Sequence, residues 1–192
     1  MASFDLRSTI DDAIRSLTVF KPGAVETATI RAMNRVLTQG RTAAVREIRS
    51  AGYGLRASDV RSGMQLVRAR PGNLEAKIVA RGRPIPLIRY GARQVKDGVS
   101  VNVRNGRKVI QHAFIATMPT GHVGVYIRKD GAKHRKVTRG TRVVWTELPI
   151  RELYGPSVPD TLANAAVQDA LQRLVEERFP QVLDAQLAYL IG

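Results

Sequence analysis

The chain has 192 residues, 44% of them hydrophobic but only 5% aromatic, no cysteine, and a formal charge of +15. That length fits one domain, or one domain with helical extensions, whose core must be built mostly of Val, Ile, Leu and Ala. The lack of cysteine excludes disulfides, thiolate metal sites and cysteine nucleophiles, and fits a reducing compartment.

Residues Met1 to Thr18 carry Asp5, Asp11 and Asp12 and no apolar h-region, so no secretory signal is expected. No window approaches the roughly 18 apolar residues of a membrane span, and a soluble protein is expected. From Ser3 to Leu17 the apolar positions Phe4, Leu6, Ile10, Ala13, Ile14 and Leu17 recur near a period of 3.6, which predicts an amphipathic helix with Ser3 placed to cap it. Lys21-Pro22-Gly23 breaks the pattern. A longer helix is predicted from about Ala24 to Ser50 on the stripe Ile30, Met33, Val36, Leu37, Ala44, Val45 and Ile48, weakened at Gly40 and closed by Gly52.

A short helix is expected from Ala57 to Ala69, capped near Ser58, and Arg70 to Asn73 is a turn cluster. Beyond it the period switches to two. Leu74 to Ala80 reads as a strand, Pro84 and Pro86 mark an edge or bulge, and Leu87-Ile88 resumes it. Val99 to Val103 alternates strictly, and Asn105-Gly106 signals a hairpin into Arg107–Ile110. Phe114–Ala116 should pair with Val123–Ile127 across a turn at Thr120-Gly121. Asp130 to Arg142 reads as a polar, basic loop, and Arg142 to Ile150 as a final strand. Asp160 is placed to cap a C-terminal helix that Pro180 interrupts, with Gln181 to Ile191 continuing as a further turn or two.

The fold class expected is α+β: N-terminal helices, an antiparallel β-sheet or small barrel or sandwich, and a C-terminal helix. The expected organisation is a helical arm over residues 1–55, a basic antiparallel β domain over 56–158, and C-terminal helices over 159–192 packing on the same domain.

Charge is unevenly spread. Arg31 to Arg142 holds 25 Lys and Arg against Glu47, Asp59, Glu75, Asp97 and Asp130, a local +20, while the rest of the chain carries −5. A basic middle favours a polyanion, most plausibly nucleic acid, or an acidic protein surface. The acidic ends suit the basic middle of a neighbouring subunit. Arg128, Lys129, Lys133, Arg135, Lys136, Arg139 and Arg142 are the candidate contacts to DNA or an acidic partner. Arg31, Arg35, Arg41, Arg46 and Arg49 on the long helix are a second set. Both sets also suit ordinary solvated surface. No aromatics interleave with the loop cations, so a nucleic-acid contact there is expected to be to phosphate and insensitive to sequence.

Chemistry is sparse. His112, His122 and His134 are scattered, and no HExxH, P-loop or dinucleotide fingerprint is present. Gly121 to Gly124 precedes a strand and reads as a turn. A metal nuclease built on Glu147 and Glu152 is a minor alternative, Ser58 and Ser100 lack an evident base, and Trp145 and Tyr154 are expected to pack the last strand and the helix after it. No catalytic residue, metal or cofactor is assigned.

Two stretches carry the most particular pattern, Ala113–Arg128 and Leu148–Pro159. Together with Ala32-Met-Asn-Arg35 on the long helix, Ser58-Asp59-Val60, Gly98–Val101, Ala113–Ile115, Leu148–Ile150, Gly155–Ser157 and the closing Arg128, their order resembles the minor tail protein Z family of long-tailed phages and prophages. The resemblance implies a structural virion protein, a tail-completion or neck component at the head-proximal end of the tail. It implies a ring of copies, sixfold in related proteins, that meets the tail terminator or tail tube and the head–tail connector. It also implies DNA within reach in the channel, no membrane, and a location in the virion after assembly in the host cytoplasm. It brings no catalytic residues. The alternative is a sequence-independent nucleic-acid-binding protein.

Overall fold

A computed structural model of the chain describes residues 2–5, 22–129, 131, 136–145 and 149–191. The architecture is α+β, with two long helices and, among the described residues, five small antiparallel sheets, whose strands follow the first long helix in sequence except for one at the N-terminus. Contacts divide it into two compact units, one of Met1–Arg83 with Ser157–Gly192 and the other of Pro84–Pro156. The divisions expected at residues 55 and 158 follow the type of secondary structure, whereas these units follow packing.

The first unit is organised by helix α1, Pro22–Ser50. Its buried stripe is Ala28, Ala32, Met33, Val36, Leu37, Ala44, Val45 and Ile48. This stripe packs against helix α4, Ala165–Ile191, which offers Val167, Leu171, Val175, Phe179, Val182, Leu183 and Leu187. Gly40, mid-helix, lets Ile78 approach, its Cδ1 lying 3.4 Å from where a Cβ would stand. The helix ends in a Schellman motif. Gly52, at φ 86°, donates to Arg49 O at 3.0 Å, and Tyr53 N donates to Ile48 O at 3.3 Å. The side chains of Tyr53 and Ile48 are both buried there.

A three-stranded sheet of order β1-β3-β2 completes this unit, from β1 (Ala2–Asp5), β2 (Met64–Val67) and β3 (Lys77–Ala80). Two expectations are corrected here. Ala2–Asp5 is a strand, with Ala2 opposite Ala80 and Phe4 opposite Ile78, so Ser3 caps no helix. Pairing to the open edge of β3 supplies those backbone groups with partners; the rest of the predicted amphipathic helix, residues 6–17, lies outside the described residues. Helix α2 is only Ala57–Ser62, preceded by Arg56 without a side-chain cap, and Met64–Val67 is drawn into the sheet by pairing with β3. The turn at 70–73 forms as expected, Arg70 and Asn73 exchanging backbone bonds at 3.1 and 2.9 Å.

Helix α3, Val158–Leu162, is capped by Ser157 rather than Asp160. Asp160 is its capping-box partner, accepting from Ser157 N and Oγ at 2.8 and 2.7 Å. Those two bonds, the side-chain one foremost, hold the Asp160 carboxyl below its ordinary value. Pro180 does not interrupt α4. An interior proline costs about 3 kcal/mol, whereas burying Phe179 and Leu183 contributes about 1.5–3 kcal/mol each. Tertiary burial therefore wins.

The second unit contains β4 (Ile85–Pro86), a 3₁₀ turn at Leu87–Tyr90, β5 (Arg93–Val95), β6 (Gly98–Val101), β7 (Lys108–Gln111), β8 (Phe114–Thr117), β9 (Val123–Arg128), β10 (Lys136–Arg139), β11 (Arg142–Trp145), β12 (Ile150–Glu152) and β13 (Tyr154–Gly155). The strand expected to resume at Leu87 is a 3₁₀ turn that buries Leu87 and Tyr90. Tyr90 is fully enclosed, its phenol donating to Pro156 O at 2.6 Å. The β8–β9 hairpin has the expected partners, Phe114 opposite Tyr126 and Ala116 opposite Gly124. Asn105 and Gly106 both take positive φ, as that hairpin signal requires, although pairing between β6 and β7 begins only at Val101 and Lys108. The final strand is two, β11 and β12.

Candidate functional site

Helix α1 presents a single exposed face. The residues exposed from Thr27 to Arg49 are Thr27, Arg31, Arg35, Thr38, Thr42, Arg46 and Arg49. Their spacing of three, four and seven places them along one side of a helix. The three hydroxyls turn inward, donating to Gly23 O, Asn34 O and Thr38 O at 2.8, 3.0 and 3.3 Å. The arginines therefore carry the outward chemistry of this face. Arg46 also meets Glu47 at 2.8 Å, while Arg41 is half-buried and lies off the row. Of the five arginines predicted here, four share the face and one does not.

The second predicted set is only partly described. Arg128 closes β9 with its guanidinium 5.6 Å from the Phe114 ring centroid, and Lys129 beside it is exposed. Lys129 N donates to Pro149 O at 2.9 Å, which fixes the backbone where the chain leaves the sheet. Lys133 and Arg135 lie outside the described residues. The segment read as a loop forms a two-stranded ribbon instead, with Lys136 opposite Trp145 and Arg139 opposite Arg142. The alternation Val137-Thr138 facing Val143-Val144 supplies the β-branched residues that favour it. Lys136, Arg139 and Arg142 thus belong to a paired scaffold, and the ribbon places Arg139 and Arg142 at its turn end.

A third cluster was not foreseen. Both oxygens of Glu152 on β12 are engaged: Oε1 lies 2.8 Å from His122 Nε2, and Oε2 accepts from Tyr154 OH at 2.8 Å. Gly124 makes room for it, since a Cβ there would stand 2.7 Å from Glu152 Oε1 and 2.9 Å from the Tyr126 ring. The hydrogen bond to this carboxylate, with some desolvation, raises the Tyr154 phenol above its usual range; burial first, and then Glu152, raises Tyr126. Tyr154 is 52% exposed rather than packed in a corner. Only the 30-residue separation of His122 and Glu152 hid the pair from a reading along the chain.

This arrangement bears on the nuclease alternative. Glu147 lies outside the described residues, and Glu152 is held by an imidazole and a phenol. Among the described residues no group of three or more His, Cys, Asp or Glu could hold a metal ion. His112, at φ 60°, borders a polar cleft of about 450 Å³ with Lys96, Asp97 and Gln111, apart from the Glu152 cluster. No described helix is long and apolar enough to cross a membrane.

Compared with known proteins, the chain matches the family model for prophage minor tail protein Z (GPZ) over residues 8–191. No curated protein and no solved structure matches.

Proposed function

Because the chain belongs to the prophage minor tail protein Z family, a family of phage tail structural components, we propose that it acts at the head-proximal end of a long-tailed phage tail. There it completes the tail and joins it to the head connector, as a ring of copies around the DNA channel. The observation that carries this reading is the match over nearly the whole chain. The basic middle of the chain suits a surface that meets either the genome or an acidic partner ring. The role is mechanical and employs no catalytic group.

The test is assembly without the chain. Cells lacking it should yield filled heads and separate tails, and supplying the chain afterwards should restore joined particles. Joined, infectious particles formed in its absence would refute the proposal. A second reading, a sequence-independent nucleic-acid-binding protein, draws on the same local charge of +20. It requires the purified chain to bind duplex DNA with steep salt dependence and to have no affinity for tails.

A further inference from the structure

Helix α4 carries a row that neither the family match nor the proposed role uses. Asp169, Glu176, Glu177 and Asp184 are all exposed and follow the spacing i, i+7, i+8, i+15, which puts them on one side. Arg173 is exposed on the same side, leaving the row at −3, while the other exposed cation of this stretch, Arg178, lies off the row by helical spacing. Helix α1, packed against α4 in the same unit, exposes the opposite: Arg31, Arg35, Arg46 and Arg49, with no exposed acid among them and only the half-buried Glu47 meeting Arg46. The rows match in length, about 27 Å from Arg31 to Arg49 and about 22 Å from Asp169 to Asp184 at 1.5 Å per residue. Among the described residues no ion pair joins one row to the other.

We propose that the arginine row of α1 on one copy docks against the acidic row of α4 on the next, making the head-to-tail contact of a homo-oligomer. Each helix pair buries its apolar stripe internally and turns charges of opposite sign outward. Within one copy the two rows are not paired with each other among the described residues, whereas in a chain of copies each row but the terminal ones meets its opposite. Such a contact is heterologous, and it closes into a ring when the rotation per copy allows. Like rows repel, so the charges also forbid the symmetric pairing of α1 with α1 or α4 with α4. Both rows are solvated, so the contact weakens with salt. This inference rests on the tail role above and names the surface through which copies would meet there.

The test uses two full-length charge-reversed chains. One carries Arg31→Glu, Arg35→Glu, Arg46→Glu and Arg49→Glu; the other carries Asp169→Lys, Glu176→Lys, Glu177→Lys and Asp184→Lys. Circular dichroism establishes that each is folded. Each alone should be lost from purified tails, because its two rows then carry the same sign. Co-expression should return both, because alternating copies join reversed row to reversed row and wild-type row to wild-type row, opposite in sign at every contact. DNA binding by the arginines cannot produce that mutual rescue. Entry of either reversed chain alone at the wild-type level, or failure of the pair to recover, overturns the inference. Absence of the wild-type chain from tails overturns the tail role itself. Should a reversed chain not fold, Thr38→Cys with Arg173→Cys in this cysteine-free protein gives an independent reading. A thiol cross-linker applied to tails should yield a ladder of multimers, and tail-bound chain that remains monomeric overturns the inference.

Discussion

Asn34 sits in the middle of α1, in the Ala32–Arg35 stretch, and its amide clasps one residue 35 positions away. Its Nδ2 donates to Ala69 O at 2.9 Å and its Oδ1 accepts from Ala69 N at 3.0 Å. The side chain thereby acts as a strand neighbour for Ala69, whose side chain is buried at the entry to the 70–73 turn. Replacing Asn34 with Ala strands one donor and one acceptor. At roughly 1–1.5 kcal/mol for each half-buried group, the cost is about 2–3 kcal/mol. For a chain of this size that lowers Tm by roughly 5–10 °C, measurable by calorimetry. Asn34→Asp is the sharper probe. At neutral pH its carboxylate accepts from Ala69 N, but its other oxygen opposes the Ala69 carbonyl, so the variant is destabilised too. The protonated acid can donate, which raises the folded-state pKa of the introduced carboxyl above its unfolded value. The deficit should therefore be small below the unfolded pKa and grow as pH rises through the folded one. An Asn34→Ala protein melting within about 1 °C of wild type, or an Asn34→Asp deficit independent of pH, would refute the two-bond clasp.

Gly40→Ala should stabilise by about 0.5–1 kcal/mol in urea titration, because the new methyl meets Ile78 Cδ1 at an ordinary 3.4 Å; destabilisation would mean that the helix and β3 are closer than described. Gly155→Ala should cost about 1–3 kcal/mol, since its Cβ would lie 2.7 Å from Cε2 of a Tyr90 ring that its own hydrogen bond holds in place; an unchanged urea midpoint counts against that packing. Asp160→Ala should cost about 1 kcal/mol at neutral pH. Because the bonds from Ser157 hold its folded pKa below its ordinary unfolded value, that contribution is present above the unfolded value and lost as pH falls through the lower folded one, so wild type and variant should converge in acid. Glu152→Gln weakens the hydrogen bond that chiefly raises the Tyr154 phenol and removes the charge that adds to burial in raising Tyr126, so tyrosinate absorbance should appear at lower pH than in wild type, Tyr154 moving most; an unshifted titration argues against the cluster.

Local pattern and tertiary structure divided the work along a physical line. Features that depend on residues within a turn or two of each other were legible. Helix α1 between Pro22 and Gly52, the 70–73 turn, the β8–β9 hairpin and the uneven charge all follow from periodicity, φ-demanding turn residues or simple counting. The order of short motifs was enough to indicate the family. Whether the arginine rows contact DNA or protein was not legible, because a solvated cation and a docking cation look alike in sequence. Where the chain had two local options, tertiary pairing chose. Ala2–Asp5 and Met64–Val67 carry residues that suit either helix or strand, and the edges of β3 drew both into a sheet. Pro180 reads as a break, yet the burial of its neighbours carries α4 through it. The partners of Asn34, Tyr90 and Glu152 lie 35, 66 and 30 residues away, distances over which periodicity holds no information. The sequence alone determined the helix, the hairpin and the charge; only the folded chain decided that one outer face of the helix pair is a row of arginines and another a row of acids, because packing determines which side of each helix is left to water.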